Sequence, residues 1–297
     1  MVNLESASTF AETPPRVSEI RRFSRVFFGR PVVIIGFVII AVLIITAIFA
    51  PLLAPYDPYE QDLTLTLLNP STSHWLGTDP LGRDTLSRLI FGTRNSLMVG
   101  LISVSVATVV GMSLGLFAGY FGGWFDAIIM RIIDTLMSIP GMILPLVFAA
   151  MLGGGLRNVM IAIGITMVPA YCRLMRSQVL TVKQADYISA ANSLGSGSMR
   201  IMFAHIVPNC LPPLIVLITI NLGTAILAEA GLSFLGVGID PPGAAWGSMV
   251  NEGYRYLLKH PILSFAPGLS VMLVVLAFNL IGDGLRDALD PRLRGTI

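Results

Sequence analysis

From Val32 to Leu53 the chain reads VVIIGFVIIAVLIITAIFAPLL, a run without one ionisable side chain. Such a run reaches the roughly 20 residues that a helix needs to cross hydrocarbon. Backbone N–H and C=O groups in lipid must be bonded within the segment, so a helix is the fold open to it. Five further runs follow, near Leu97–Tyr120, Ile128–Leu152, Val159–Leu174, Leu211–Ala230 and Phe265–Leu285. None alternates apolar and polar residues as the strands of an outer-membrane barrel would. Only 12% of the residues are charged, against about a quarter in soluble domains. The expected fold class is an all-α membrane protein, a polytopic bundle of about six transmembrane helices, with Val159–Leu174 short for a crossing.

The first run is too long for the apolar region of a cleavable signal, and no small-residue cleavage site follows it. Arg21, Arg22, Arg25 and Arg30 precede it and place the N-terminus in the cytoplasm. About six crossings then return the C-terminus to the same side. Arg173, Arg176, Lys183 and Arg200 mark a second cytoplasmic region, while Ala54–Ser96 leans acidic and is read as external. Cys172 and Cys210 fall at span ends on the cytoplasmic side and imply no disulfide framework.

The chain divides into a tail at 1–20 without periodicity, a first helix with its external loop at 21–96, a core at 97–286 and a cytoplasmic tail at 287–297. Within the loop, Asp84, Leu86, Leu89 and Ile90 predict a short amphipathic helix on the outer surface, and Trp75 suits the interface. Gly111, Gly115 and Gly119 form a small-xxx-small ridge for close helix approach, within the chain or against a partner subunit.

Several chemistries find no footing. Gly111-Met-Ser113-Leu-Gly115 fits the spacing of a nucleophile elbow, but that motif works only on a strand–turn–helix and here lies in an apolar helix. His74, His205 and His260 all lie outside the spans, and no metal-ligand spacing is present. Neither Lys183 nor Lys259 follows a glycine, so there is no phosphate-binding loop. The chain is therefore not read as an enzyme. No cofactor and no metal are expected in it, and an ATP-driven reading places ATP and Mg on other subunits. Arg131 and Asp134, three apart on one helix face, are expected to neutralise each other. Glu229 near the outer end of the fifth span is a candidate gate or substrate group, or a cap for the glycine-rich loop after it. An ion-coupled secondary transporter is the alternative of a different class; it needs a mid-membrane ion site on broken helices.

The stretch SAANSLGSGSMRIMFAHIVPN, Ser189 to Asn209, is too polar for lipid and too apolar for an idle loop. It reads as a helical hairpin over 187–208. Tyr187, Ala190, Ala191 and Leu194 share one apolar face and Ser189, Asn192, Ser193 and Ser196 the other. Gly195 and Gly197 end the first helix, Ser198 caps the second, and Pro208 stops it before the next span. A short helix with an alanine stripe fits a groove on a partner; folding back onto the chain's own helices is the other reading.

Ala190, Ala191, Gly195 and Pro208 resemble the cytoplasmic signature of permease subunits of ABC importers, with Ser189 where that signature has Glu. HWLGTDPLGRDTLSRLIFGTRNSL, AEAGLSFLGVGIDPPGAAWG and IGDGLRDALDPRLR resemble the hallmarks of the second permease of dipeptide, oligopeptide and nickel importers. The likeness runs from about Arg21 to the end and implies a type I ABC importer permease fold. It implies that the hairpin, through Tyr187, Ser189, Ala190, Ala191, Leu194, Gly195 and Pro208, is a coupling helix seated on an ATPase subunit. The implied partners are a sibling permease, two ATPase subunits, an external binding protein and the lipid of the cytoplasmic membrane, with no nucleic acid. The implied cargo is di- or oligopeptide; nickel, glutathione and other small solutes also occur in the family. Asp79, Arg83 and Asp84 would meet the binding protein or the sibling, or form a local salt-bridged cap. Asp283, Arg286, Asp287, Asp290 and Arg292 would anchor the C-terminal end at the membrane surface.

Overall fold

A computed structural model describes residues 19–239 and 242–289, so most of the expected tails at 1–20 and 287–297, with Asp290 and Arg292, lie outside the described residues. The elements are helices: α1 Glu19–Phe28, α2 Pro31–Ile48, α3 Ala50–Leu53, α4 Thr85–Phe121, α5 Gly123–Met137, α6 Ile143–Leu152, α7 Gly155–Lys183, α8 Asp186–Ser193, α9 Ser198–Arg200, α10 Val207–Phe234, α11 Trp246–Tyr254 and α12 Ile262–Leu289. A π-helix, Ile201–Ile206, joins α9 to α10. Among the described residues, five helical runs are long and apolar enough to cross a membrane: α2, α4, α7, Ser198–Phe234 and α12.

The expected third span, Ile128–Leu152, is not one helix. It breaks between α5 and α6 at Ser138-Ile-Pro-Gly141. Pro140 lacks an N–H and pushes Ile139 away from helical geometry, which ends α5. The Ser138 hydroxyl donates to the Thr135 carbonyl at 2.7 Å. The two pieces together return the chain, because α4 and α7 pack in parallel: Gly111 lies on Val168 and Tyr171, Gly115 on Cys172 and Met175, and Gly119 on Val179. α10 runs back against both, with Gly100 on Ile226, and α12 descends beside α10, with Gly223 on Val275. α2 is antiparallel to α12, with Gly36 on Ala277 and Gly284 on Val33.

The surface helix expected near Asp84–Ile90 is not separate. It is the first two turns of α4, which runs on through Gly92 because the Trp246 ring fills that glycine's side. The short fourth span also lengthens, since α7 keeps Pro169 inside and continues to Lys183. Val99, Ala107, Met160, Tyr171, Met175, Val179 and Leu214 belong to the main buried core among α4, α7 and α10. At the other end of α12, Arg30 pairs with Asp287, and Phe27 and Val33 pack on Ala288. The starts of α1 and α2, the end of α12 and the α8 hairpin thus lie on one side, with the loop 54–84 on the opposite side.

Candidate functional site: an exposed hairpin on a glycine-packed pair

At the hairpin end, α8 is eight residues long and is seated by Ile188, which is 1% exposed in the same core as Met175, Val179, Ile201, Met202 and Ile206. Tyr187, Ser189, Ala190, Asn192 and Ser193 face outward, Ala191 and Ser196 are half-buried, and Leu194 is 86% exposed. A leucine so exposed, beside a tyrosine 47% exposed, is apolar surface without an intrachain cover. Gly195 sits at φ +75°. Its N–H bonds the Asn192 carbonyl at 2.9 Å, and the Ser196 N–H bonds the Ala191 carbonyl at 3.1 Å. That is a Schellman stop, which favours glycine at the left-handed position.

The second limb differs from expectation. Ser198 does not cap it; Gly197 is the N-cap and makes no side-chain bond. Pro208 does not stop it either. It stands in the first turn of α10, where its fixed φ suits a helix, and the π-helix runs straight into α10. The hairpin is therefore one short helix followed by a rod, Ser198–Phe234, that continues through the bundle.

The glycine ridge makes α7 the carrier of this hairpin. A Cβ on Gly115 would lie 2.3 Å from the Cys172 carbonyl oxygen; one on Gly111, 2.6 Å from Tyr171 Cβ; one on Gly119, 2.9 Å from Val179 Cβ. The ridge packs inside the chain. Cys172 and Cys210 are both free and buried.

Asp134 does not pair with Arg131. Its Oδ1 accepts from Arg173 Nη2 of α7, which packs beside α5. Eight residues earlier, Asp126 takes Arg176 in a two-pronged bond, 2.5 Å from Nε and 2.6 Å from Nη2. Sequence reasoning missed both interhelical pairs; the spacing of Asp126 and Asp134 on one helix and Arg173 and Arg176 on another was the available signal.

At the opposite end, Asp79, Arg83 and Asp84 are all buried. Asp79 Oδ2 accepts from Arg83 Nε at 2.6 Å and from Arg88 Nη1. Glu252 Oε2 of α11 accepts from Arg83 Nη2 at 3.0 Å and Arg88 Nη1 at 2.9 Å. Asp84 caps α4, its Oδ2 accepting the Ser87 N–H at 2.8 Å, while its Oδ1 lies 2.9 Å from His74 Nδ1. These three side chains bond within the chain, as the local salt-bridged cap that was one of the two expectations. Arg88 and Glu252 were not foreseen; 164 residues separate them.

Glu229 is likewise enclosed, at 0% exposure. Its Oε1 accepts from Ser233 Oγ at 2.6 Å, and that hydroxyl in turn accepts the Ile239 N–H at 3.3 Å. In this conformation the carboxyl is enclosed within the chain. It ties the end of α10 to the glycine-rich loop, relayed through Ser233.

The family described as binding-protein-dependent transport system inner membrane component matches residues 111–295, and the N-terminal transmembrane domain of oligopeptide transport permease C matches residues 18–70. The probable D,D-dipeptide transport system permease protein DdpC of Escherichia coli K12 is 44% identical over 267 residues, 90% of each chain. The glutathione transport system permease protein GsiD of Pectobacterium atrosepticum is 44% identical over 92% of this chain and 91% of its own. The dipeptide transport system permease protein DppC of Alkalihalophilus pseudofirmus is 45% identical, covering 88% and 86%. In fold, an inward-facing MetNI methionine ABC transporter chain superposes with TM-score 0.56 at 20% identity, covering 69% of this chain and 97% of that one.

Proposed function

This chain belongs to the binding-protein-dependent inner-membrane transport components, permeases of the dipeptide and oligopeptide ABC importer class, and we propose that it forms half of a peptide pore driven from outside itself. A sibling permease supplies the other half. Two ATPase subunits, which hold the ATP and Mg, dock on the hairpin, and an external binding protein delivers the substrate. The hairpin and both termini face the cytoplasm, following the arginines at the start of α1 and α2. The substrate is a short peptide, as the printed names of its relatives say of them.

The observation that carries this reading is α8: Tyr187 on it and Leu194 just after it are exposed, while its buried Ile188 roots it in the core with α7. Force on the outer face of α8 passes through Ile188 to α7 and through the rod Ser198–Phe234 to α10. Glycine contacts between α4 and α7 let those helices move as one body. Closure of the ATPases biases a two-state bundle from inward- to outward-facing.

The test is Ala191→Arg. Its long side chain would lift α8 out of a groove; Ala191 is half-buried beside Ile188, so Ala190→Arg, at an exposed position of α8, is made alongside and keeps the test clear of the bundle. Transport and stimulation of ATPase activity should both vanish while membrane insertion stays normal. Normal uptake by the variant would refute the docking.

A further inference from the structure

The break between α5 and α6 exposes backbone in the middle of a crossing. Residues 138–142 are all exposed and lie outside any helix. The break stands about 22 Å along α5 from Gly123, at roughly 1.5 Å per residue. Irregular backbone at that depth is tolerated only against protein or a water-filled cavity. A second observation lies on the same helix. Ile129 and Ile133 of α5 are buried on the bundle, and Arg131 is exposed roughly 200° around from Ile129. An arginine on the open face of one piece of a broken crossing is costly in lipid and marks a wet or pore-facing surface.

A third observation is the contrast between the two α5–α7 ion pairs. Asp126–Arg176 is two-pronged and more sheltered, its side chains 19% and 31% exposed. Asp134–Arg173 is single-pronged and half open, at 51% and 47%. Among the described residues Asp134 Oδ2 accepts no hydrogen bond, and Arg173 Nε and Nη1 donate none. α4 meets this level at Gly115, which lies against Cys172 and Arg176, and then continues apolar through Leu116, Phe117 and Ala118. Asp134 stands roughly 12 Å further along α5 than Asp126, toward the break.

We propose that α5, the break and Arg173 form this chain's wall of the translocation path, with the half-open Asp134–Arg173 pair reading the two charged ends of a zwitterionic peptide. The peptide ammonium bonds the free oxygen of Asp134, and the peptide carboxylate bonds the free N–H groups of Arg173, with Arg131 a second guanidinium on the same wall. A passing zwitterion trades its water for these groups without leaving either residue an unpaired charge. Asp126–Arg176, already closed by two bonds, holds α5 to α7 while this happens. This assignment rests on the importer reading above.

The test uses the complete transporter in proteoliposomes, with Ala-Ala as the peptide. In the first arm, Arg131→Cys and Gly141→Cys are exposed to a charged, water-borne methanethiosulfonate, with Ile35→Cys on the outward face of α2 as reference. The two wall thiols should react at least about tenfold faster than the reference, and Ala-Ala with ATP should slow them. Rates equal to the reference overturn the wall, and so do thiols that react only once the sibling permease is removed, since the surface would then be a subunit contact. In the second arm, Asp134→Asn, Arg173→Gln and the double variant are compared in Ala-Ala uptake. Each single change should lower uptake about tenfold, and the double should be no better. A purely structural pair predicts the reverse, because removing both charges leaves none unpaired. Recovery in the double variant overturns the reading role. Absence of Ala-Ala uptake by the unaltered complex would instead count against the peptide assignment, while the thiol rates still decide the wall.

Discussion

Replacing Gly115 by alanine tests whether α4 and α7 act as one body. The new Cβ would sit 2.3 Å from the Cys172 carbonyl oxygen and 2.9 Å from Met175 Cβ, where ordinary contact begins at 3.4 Å. The first obstacle is backbone, so no side chain can swing away. The helices must separate by roughly 1.1 Å at this crossing (3.4 minus 2.3). A gap of that order forfeits about a quarter to a half of each neighbouring contact along the ridge. Overpacking of this kind costs about 1–3 kcal/mol, and in a bilayer no hydrophobic drive between helices makes up the loss. Alanine also gains about 1 kcal/mol of helix propensity over glycine. The reference change is Gly268→Ala in α12, where a Cβ would meet nothing within 4 Å. Both variants share the propensity gain, so their difference isolates the overpacking. In equilibrium unfolding of the purified permease by sodium dodecyl sulfate titration, Gly268→Ala should match or exceed the parent. Gly115→Ala should fall below Gly268→Ala by about 1–3 kcal/mol. Equal stabilities would show that the α4–α7 approach is looser than its distances state and would remove the rigid-pair argument.

Asp79→Ala strands two buried guanidiniums, Arg83 and Arg88, against Glu252 alone; the same titration should read a loss of about 3–5 kcal/mol. Asp84→Ala removes the N-cap of α4 and its bonds to Ser87 and His74. A loss of about 1 kcal/mol is expected, with amide exchange rising first at Ser87. Gly195→Val forces a β-branched residue to φ +75°. It should lower coupled ATPase stimulation and destabilise the hairpin by about 1–2 kcal/mol, while Gly195→Asn should cost less.

The hairpin was largely legible because its signals are local. Small residues in an otherwise apolar chain, and Gly195 after a helical octet, mark an exposed helix with a left-handed stop. Its second limb was misread because a proline does not always end a helix: the π-helix ahead of Pro208 carries the chain into α10, and Pro212 and Pro213 stand inside α10 as well. The α4 start was misread as a separate helix because the polar residues 92–96 hide its continuation into the apolar run from Leu97.

Charge pairing was the least legible layer. Arg131 and Asp134 satisfy the rule for neighbours on a helix, yet Arg173 competes and takes Asp134 from another helix. Asp79 and Arg83 could be matched locally, but Arg88 and Glu252 complete their site from 164 residues apart. Hydropathy and turn chemistry depend on a residue and its near neighbours, so most of the apolar helices and the hairpin were written in the order of amino acids. Which carboxylate meets which guanidinium, which glycine touches which backbone, and where the broken third crossing opens its backbone depend on how helices lie against one another. Those were decided only by the tertiary packing, because a charge or a gap responds to distance in space and not to separation along the chain.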